Sequence, residues 1–133
     1  MLDRSFPHVL RWTGVITALA GVQFIAPVPF LAAQGMAVGD PAGLFFARHW
    51  GMLVACLGVL MVWAASRPGL RVPVVITALV EKLALVLMVA LAWNEPALQG
   101  LHAAAVFDSA CVLVYGLWLL KRPAAQRDAG VAG

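Results

Sequence analysis

An all-α transmembrane four-helix bundle, up-down-up-down with both termini cytoplasmic, is the fold class this sequence predicts, and three observations predict it. The 133-residue chain is 63% hydrophobic and only 11% charged, against roughly 25% charged residues in a soluble domain, and its mean hydropathy is +0.93. Its apolar residues gather into four runs of about 20 residues, the length that crosses a ~30 Å hydrocarbon core at 1.5 Å per residue. Seven of the nine lysines and arginines, namely Arg4, Arg11, Arg67, Arg71, Lys121, Arg122 and Arg127, fall on one side of a four-span arrangement, whereas the two opposite loops carry Asp40 and Glu95 and no basic residue. Basic residues are retained in the cytoplasm during insertion, so this asymmetry orients the chain. A bacterial inner membrane is the expected location.

The first span is expected over about residues 9–26, after a short polar lead containing Arg4 and Arg11. The apolar run after Arg11 is too long, and lacks the small-residue cleavage pattern, for a removed signal peptide. Pro27 and Pro29 end or kink the helix near Ala26, because proline removes a backbone donor and restricts the residue before it. Gly14, Ala18 and Gly21 leave room for a neighbouring helix to approach. Residues 30–43, with Gln34, Gly35, Gly39, Asp40 and Pro41, read as a loop with a short interfacial helical turn around Phe30 to Ala33. The second span, about 44–65, opens on Phe45, Phe46, Ala47, Arg48, His49, Trp50 and Gly51, and its Gly51 and Ala55 again suit close packing. Arg67, Pro68, Gly69 and Arg71 make a basic connection, and Pro73 fits the first turn of the third span, about 72–93. Asn94, Glu95 and Pro96 close that span. The fourth covers about 100–120. Residues 1–122 therefore form a single transmembrane domain, and 123–133 a flexible cytoplasmic tail.

Trp12, Trp63, Trp93 and Trp118 fall near span ends, where indole rings favour the membrane interface. Cys56 and Cys111 lie within apolar runs without ligand spacing, which predicts free buried thiols. The net charge of +3 resides at span ends, so nucleic acid is not an expected partner.

The candidate site comes from charges that a bilayer should exclude. Glu81 and Lys82 stand side by side in the middle of the third span and Asp108 in the fourth. Each such charge costs roughly 2.5–3.5 kcal/mol on insertion scales, so it normally faces a protein interior or a wet cavity. The antiparallel spans bring all three near the midplane, ~12–15 Å from the span ends. Arg48 and His49 begin in the outer third, and a long arginine stem reaches inward, which makes Arg48, Asp108, Lys82 and Glu81 a candidate network. Consecutive helical residues point about 100° apart, so Glu81 and Lys82 cannot both face the axis, and one is expected in a groove or against a second subunit. Gln23 is the amide of the first span, expected to bond a backbone carbonyl or a neighbouring helix, or else a ligand. His49 and His102 lie toward the outer face and are candidates as axial haem ligands, with Arg48 pairing a propionate. No metal-binding motif is present.

Arg48-His49-Trp50-Gly51 opening the second span, a basic proline-containing turn, Glu81-Lys82 in the third span and Asp108 in the fourth together resemble small bacterial four-span proteins of the DoxX-like kind, over about residues 9–120. The resemblance implies the four-span fold, and some members of that group are similar to small subunits of quinone-linked membrane oxidoreductases.

Three functional readings follow. In the first, the protein is a non-catalytic membrane subunit or a binder of a hydrophobic molecule such as a quinone or lipid, with Gln23, Arg48, His49, Glu81, Lys82 and Asp108 at its polar end. No cofactor is required, quinone and haem being the two the residues would accommodate. A membrane oxidoreductase or further copies of the chain are the expected protein partners. In the second, Glu81 and Asp108 exchange protons as acid and base on an isoprenoid or sterol-like lipid, tuned by Arg48, His49 or Lys82. In the third, Glu81 or Asp108 is the exchange site of a proton-coupled transporter. A structural role, in which buried ion pairs fix helix register, stands beside all three.

Overall fold

The computed structural model describes residues 2–121, and within them it is all-helical with no strand. Helices α1 (Leu2–Ala20), α2 (Val22–Ile25), α3 (Pro27–Ala33), α4 (Pro41–Ala65) and α5 (Pro68–Leu91) precede a 3₁₀ turn (Pro96–Leu101) that runs into α6 (His102–Lys121). Three stretches, Pro41–Ala65, Pro68–Leu91 and Pro96–Lys121, are long and apolar enough to cross a membrane. The tail expected at 123–133 lies outside the described residues.

Helix α1 begins at Leu2, not after the polar lead, and the reason is tertiary. Phe6 and Leu10 are fully buried one turn apart, and the Phe6 ring stacks on Trp118 at 4.0 Å and meets Tyr115 edge-on at 6.0 Å. Contacts of this kind offset the cost of Pro7, about 3 kcal/mol for a proline inside a helix. The same stack removes Trp118 from the interface, where it was expected; it is buried, whereas Trp12, Trp63 and Trp93 are exposed.

The first apolar run breaks twice. At Gly21 the chain tightens, with Gly21 N–H donating to Ala18 O and Phe24 N–H to Gly21 O, both at 2.9 Å. At Ala26 it leaves helical geometry (φ −129°, ψ 67°), because Pro27 has no N–H for the Gln23 carbonyl. Helix α3 then closes on Gly35, whose φ of +73° is the left-handed position that glycine adopts without a side-chain clash. The closing bond, Met36 N–H to Leu31 O at 2.9 Å, sets both side chains inward.

Asp40 and Pro41, expected in a loop, start α4 instead. Asp40 Oδ1 accepts from Gly43 N–H at 2.7 Å, and Pro41 occupies the first turn, where its missing donor costs nothing. Pro68 does the same for α5, which places Pro73 inside that helix, not in its first turn. Where apolar burial gains little over lipid, close backbone approach, dispersion and polar bonds hold helices together. Helices α1 and α4 run antiparallel along small residues: a Cβ added to Gly14 would meet Gly58 O and Met61, one added to Gly21 would meet Ala55, and one added to Gly58 would meet Ala18. Arg11 Nη2 donates to Ser66 Oγ at 3.0 Å at one end of this seam. On the other side of α1, the Tyr115 hydroxyl meets Thr13 Oγ1 at 2.5 Å, and Thr13 donates onward to Val9 O at 2.8 Å. Arg71 tucks back onto the Ala64 and Ala65 carbonyls (3.3 and 2.9 Å). Thus Arg4, Arg11, Arg67, Arg71 and Lys121 gather at one end. The loop after α3 meets the turn before α6 at the other, where Gly100 lies against Gln34.

Candidate functional site

Lys82, near the middle of α5, and Asp108, within the second turn of α6, face each other. Lys82 Nζ donates to Asp108 Oδ1 at 2.6 Å, with side chains only 3% and 7% exposed. The ammonium also lies 5.5 Å from the centre of the Phe107 ring, where a cation is attracted to the ring face. Glu81, one residue earlier and so turned about 100° around α5, points elsewhere: its Oε2 is 4.0 Å from Lys82 Nζ, beyond hydrogen-bond reach, and its side chain is 29% exposed. Of the adjacent pair, Lys82 takes the interior and Glu81 the groove.

Two neighbouring cavities share Glu81, Trp50 and Leu85 as walls. The smaller, about 200 Å³, is bounded by Thr17, Trp50, Glu81, Lys82, Phe107 and Asp108. The larger, about 450 Å³ and within the range of small-molecule sites, is bounded by Gln23, Leu31, Met36, Trp50, Glu81 and Leu101. Exposed Ile16 stands on the rim of the first and exposed Met88 on that of the second, so both open sideways between helices.

The walls hold three polar atoms that the protein leaves unsatisfied. Thr17 Oγ1, Gln23 Oε1 and Glu81 Oε2 are buried without a hydrogen-bond partner among the described residues. Thr17 and Gln23 are 5% and 2% exposed. An unmade buried hydrogen bond costs about 1–3 kcal/mol, so such atoms are rare and their concentration around one pair of cavities is informative. The break at Gly21 and Ala26 frees Gln23 to reach across: its Nε2 donates to Ala47 O on α4 at 2.7 Å, which fixes the amide and leaves Oε1 unpartnered in a side chain that borders the larger cavity. Thr13 satisfies its hydroxyl within α1, whereas Thr17, one turn on, does not.

Arg48 and His49 are not brought to this site. Both are exposed on α4, His49 stacks in parallel with Phe45 at 6.3 Å, and Arg48 takes no part in the Lys82–Asp108 contact. Successive residues of α4 point about 100° apart, so the face that sends Trp50 to the cavities turns its two predecessors away. His102 is engaged by Trp93, with ring stacking at 3.9 Å and Nε2 3.1 Å from the Trp93 carbonyl. No cluster of three or more His, Cys, Asp or Glu side chains suited to a metal occurs among the described residues. Cys56 and Cys111 are both free thiols, the first exposed and the second buried. Thr17, Trp50 and Phe107 went unrecognised in the sequence as parts of the site; the one sequence signal was a hydroxyl at Thr17 within an apolar run, on the same face as Thr13. Among known proteins, no family model, no curated protein and no solved structure matches the chain.

Proposed function

We propose that the chain is an integral protein of a bacterial inner membrane, a four-span bundle with cytoplasmic termini in which α1 and α2 together make the first crossing. In this reading it holds a hydrophobic molecule with a polar head, of the quinone or lipid kind, at mid-bilayer, and acts as a binding protein or non-catalytic subunit. The observation that carries the reading is the trio of unsatisfied buried atoms, Thr17 Oγ1, Gln23 Oε1 and Glu81 Oε2, on the walls of apolar cavities that open sideways. Water would satisfy such atoms in a solvated cleft; in a bilayer a polar head that brings a hydrogen-bond donor, as a lipid head or the hydroxyl of a reduced quinone does, satisfies them while its apolar body leaves toward lipid. The order of polar residues that resembles the DoxX-like proteins supports the same reading. So does the apolar outer surface of α1 and α2, where Trp12, Ile16, Leu19, Val22 and Ile25 are exposed.

The test leaves the Lys82–Asp108 bond intact. Wild type and Ala104→Phe, which fills the smaller cavity, are purified from native membranes, and bound molecules are identified by mass spectrometry of the intact protein and by absorption. The expected result is a co-purifying quinone or lipid in wild type that is depleted in the variant. Identical bound molecules in both would overturn the proposal. Glu81, with an unpartnered oxygen beside Asp108 and its counterion, also favours a second reading, acid–base chemistry on the bound lipid. Conversion of the recovered molecule by wild type but not by Glu81→Gln would establish it.

A further inference from the structure

We infer that the head group seated between the two cavities is a hydrogen-bond-donating organic cation, an ammonium on an apolar body. The inference rests on the reading that a hydrophobic molecule occupies this site, and adds the charge of its head.

Three features of the walls point the same way. The first is charge balance. The ionisable side chains that line the cavities are Glu81, Lys82 and Asp108 among the described residues. Lys82 is committed to Asp108 at 2.6 Å and stands 4.0 Å from Glu81, so one positive group faces two carboxylates. An uncompensated carboxylate in a low-dielectric interior is costly, and a cation against Glu81 closes the balance. The second is hydrogen-bond polarity. Gln23 Oε1 can only accept, and Glu81 Oε2 as a carboxylate can only accept. A head that brings N–H donors satisfies both; a head made of carbonyl oxygens leaves both unmade. The third is the aromatic wall. Trp50 borders both cavities, and indole is the side chain whose face attracts a cation most strongly. Phe107 is already occupied by the Lys82 ammonium, which leaves Trp50 for the ligand. The apolar body then lies along Val54 and Leu85 in the smaller cavity and leaves past Ile16 at its rim, the path that Ala104→Phe blocks.

The experiment compares three probes of equal chain length, decylammonium, decanol and decanoate. Each is radiolabelled and equilibrated by dialysis against the full chain in lipid nanodiscs, with empty nanodiscs subtracted to remove partition into lipid. Wild type, Glu81→Gln and Ala104→Phe are measured. A charge-assisted bond is worth about twice a neutral one, so decylammonium is expected to bind wild type at least about tenfold more tightly than decanol. Glu81→Gln should abolish that preference. Glu81 is part-exposed and outside the Lys82–Asp108 bond, so the variant should fold; if it does not, the ammonium-to-alcohol ratio in wild type alone decides. Equal binding of decylammonium and decanol, or preference for decanoate, with both lost in Ala104→Phe, would overturn the cationic head and leave the hydrophobic site standing. Binding of every probe that is the same in wild type and Ala104→Phe would overturn both.

Discussion

Lys82 is a charged residue in a helix apolar enough to cross a membrane, and a single carboxylate makes its position tolerable. Removing one partner of a buried pair strands the other, at a cost of about 3–5 kcal/mol, whereas replacing both with apolar groups of similar size is close to neutral. Asp108→Asn is therefore expected to destabilise the protein by about 3–5 kcal/mol, and Lys82→Met with Asp108→Leu to recover most of that loss, in reversible unfolding from bicelles. A double variant as unstable as the single one would show that the pair adds stability of its own. Tyr115 sets a smaller scale. Its hydroxyl meets Thr13, which bonds onward to Val9 O, and Tyr115→Phe should cost about 1 kcal/mol, the usual net value of one such bond.

Between elements, the seam of α1 and α4 depends on the absence of side chains. A Cβ at Gly58 would run into the backbone of Ala18 and the carbonyl of Gly14, while one at Gly116 on α6 would meet nothing within 4 Å. Gly58→Ala is thus expected to cost about 1–3 kcal/mol by forcing the helices apart. Gly116→Ala should be neutral or stabilising by up to about 1 kcal/mol, because alanine loses less backbone freedom in a helix. Unfolding midpoints of the two variants, measured side by side, check this; equal effects would mean that the seam is not tightly packed. The seam matters to the site because it carries Thr17 and Trp50, on its two sides, to the same cavity.

For the whole molecule, the convergence of Arg4, Arg11, Arg67, Arg71 and Lys121 at one end, and of Asp40 and Glu95 with the opposite loops, gives the proposed orientation a direct test. In a background with Cys56 and Cys111 replaced by alanine, Asp40→Cys and Glu95→Cys should react with a membrane-impermeant thiol reagent added outside intact cells. Arg67→Cys should react only after the cells are opened. The reverse pattern would invert the topology and place the cavities' polar atoms at a different depth from each surface.

Composition and the periodic placement of charge determined much of this protein without any three-dimensional information. Helical class follows from apolar runs whose polar backbone must bond to itself in lipid. Glu81, Lys82 and Asp108 were legible as a site because charge is conspicuous where water is scarce, and Gln23 because it was the amide of its run. Boundaries were legible less well: the helical lead from Leu2 depends on Phe6 meeting Trp118, more than a hundred residues away, and no local pattern contains that contact. Tertiary structure alone decided that Lys82 faces in and Glu81 faces the groove, since a 100° rotation per residue separates neighbours only once the helix has a partner. It likewise turned Arg48 and His49 outward and brought Thr17, Trp50 and Phe107 inward. The unsatisfied oxygens that define the candidate site also became visible only there, because a missing hydrogen bond is a property of what surrounds an atom and not of the residue that carries it.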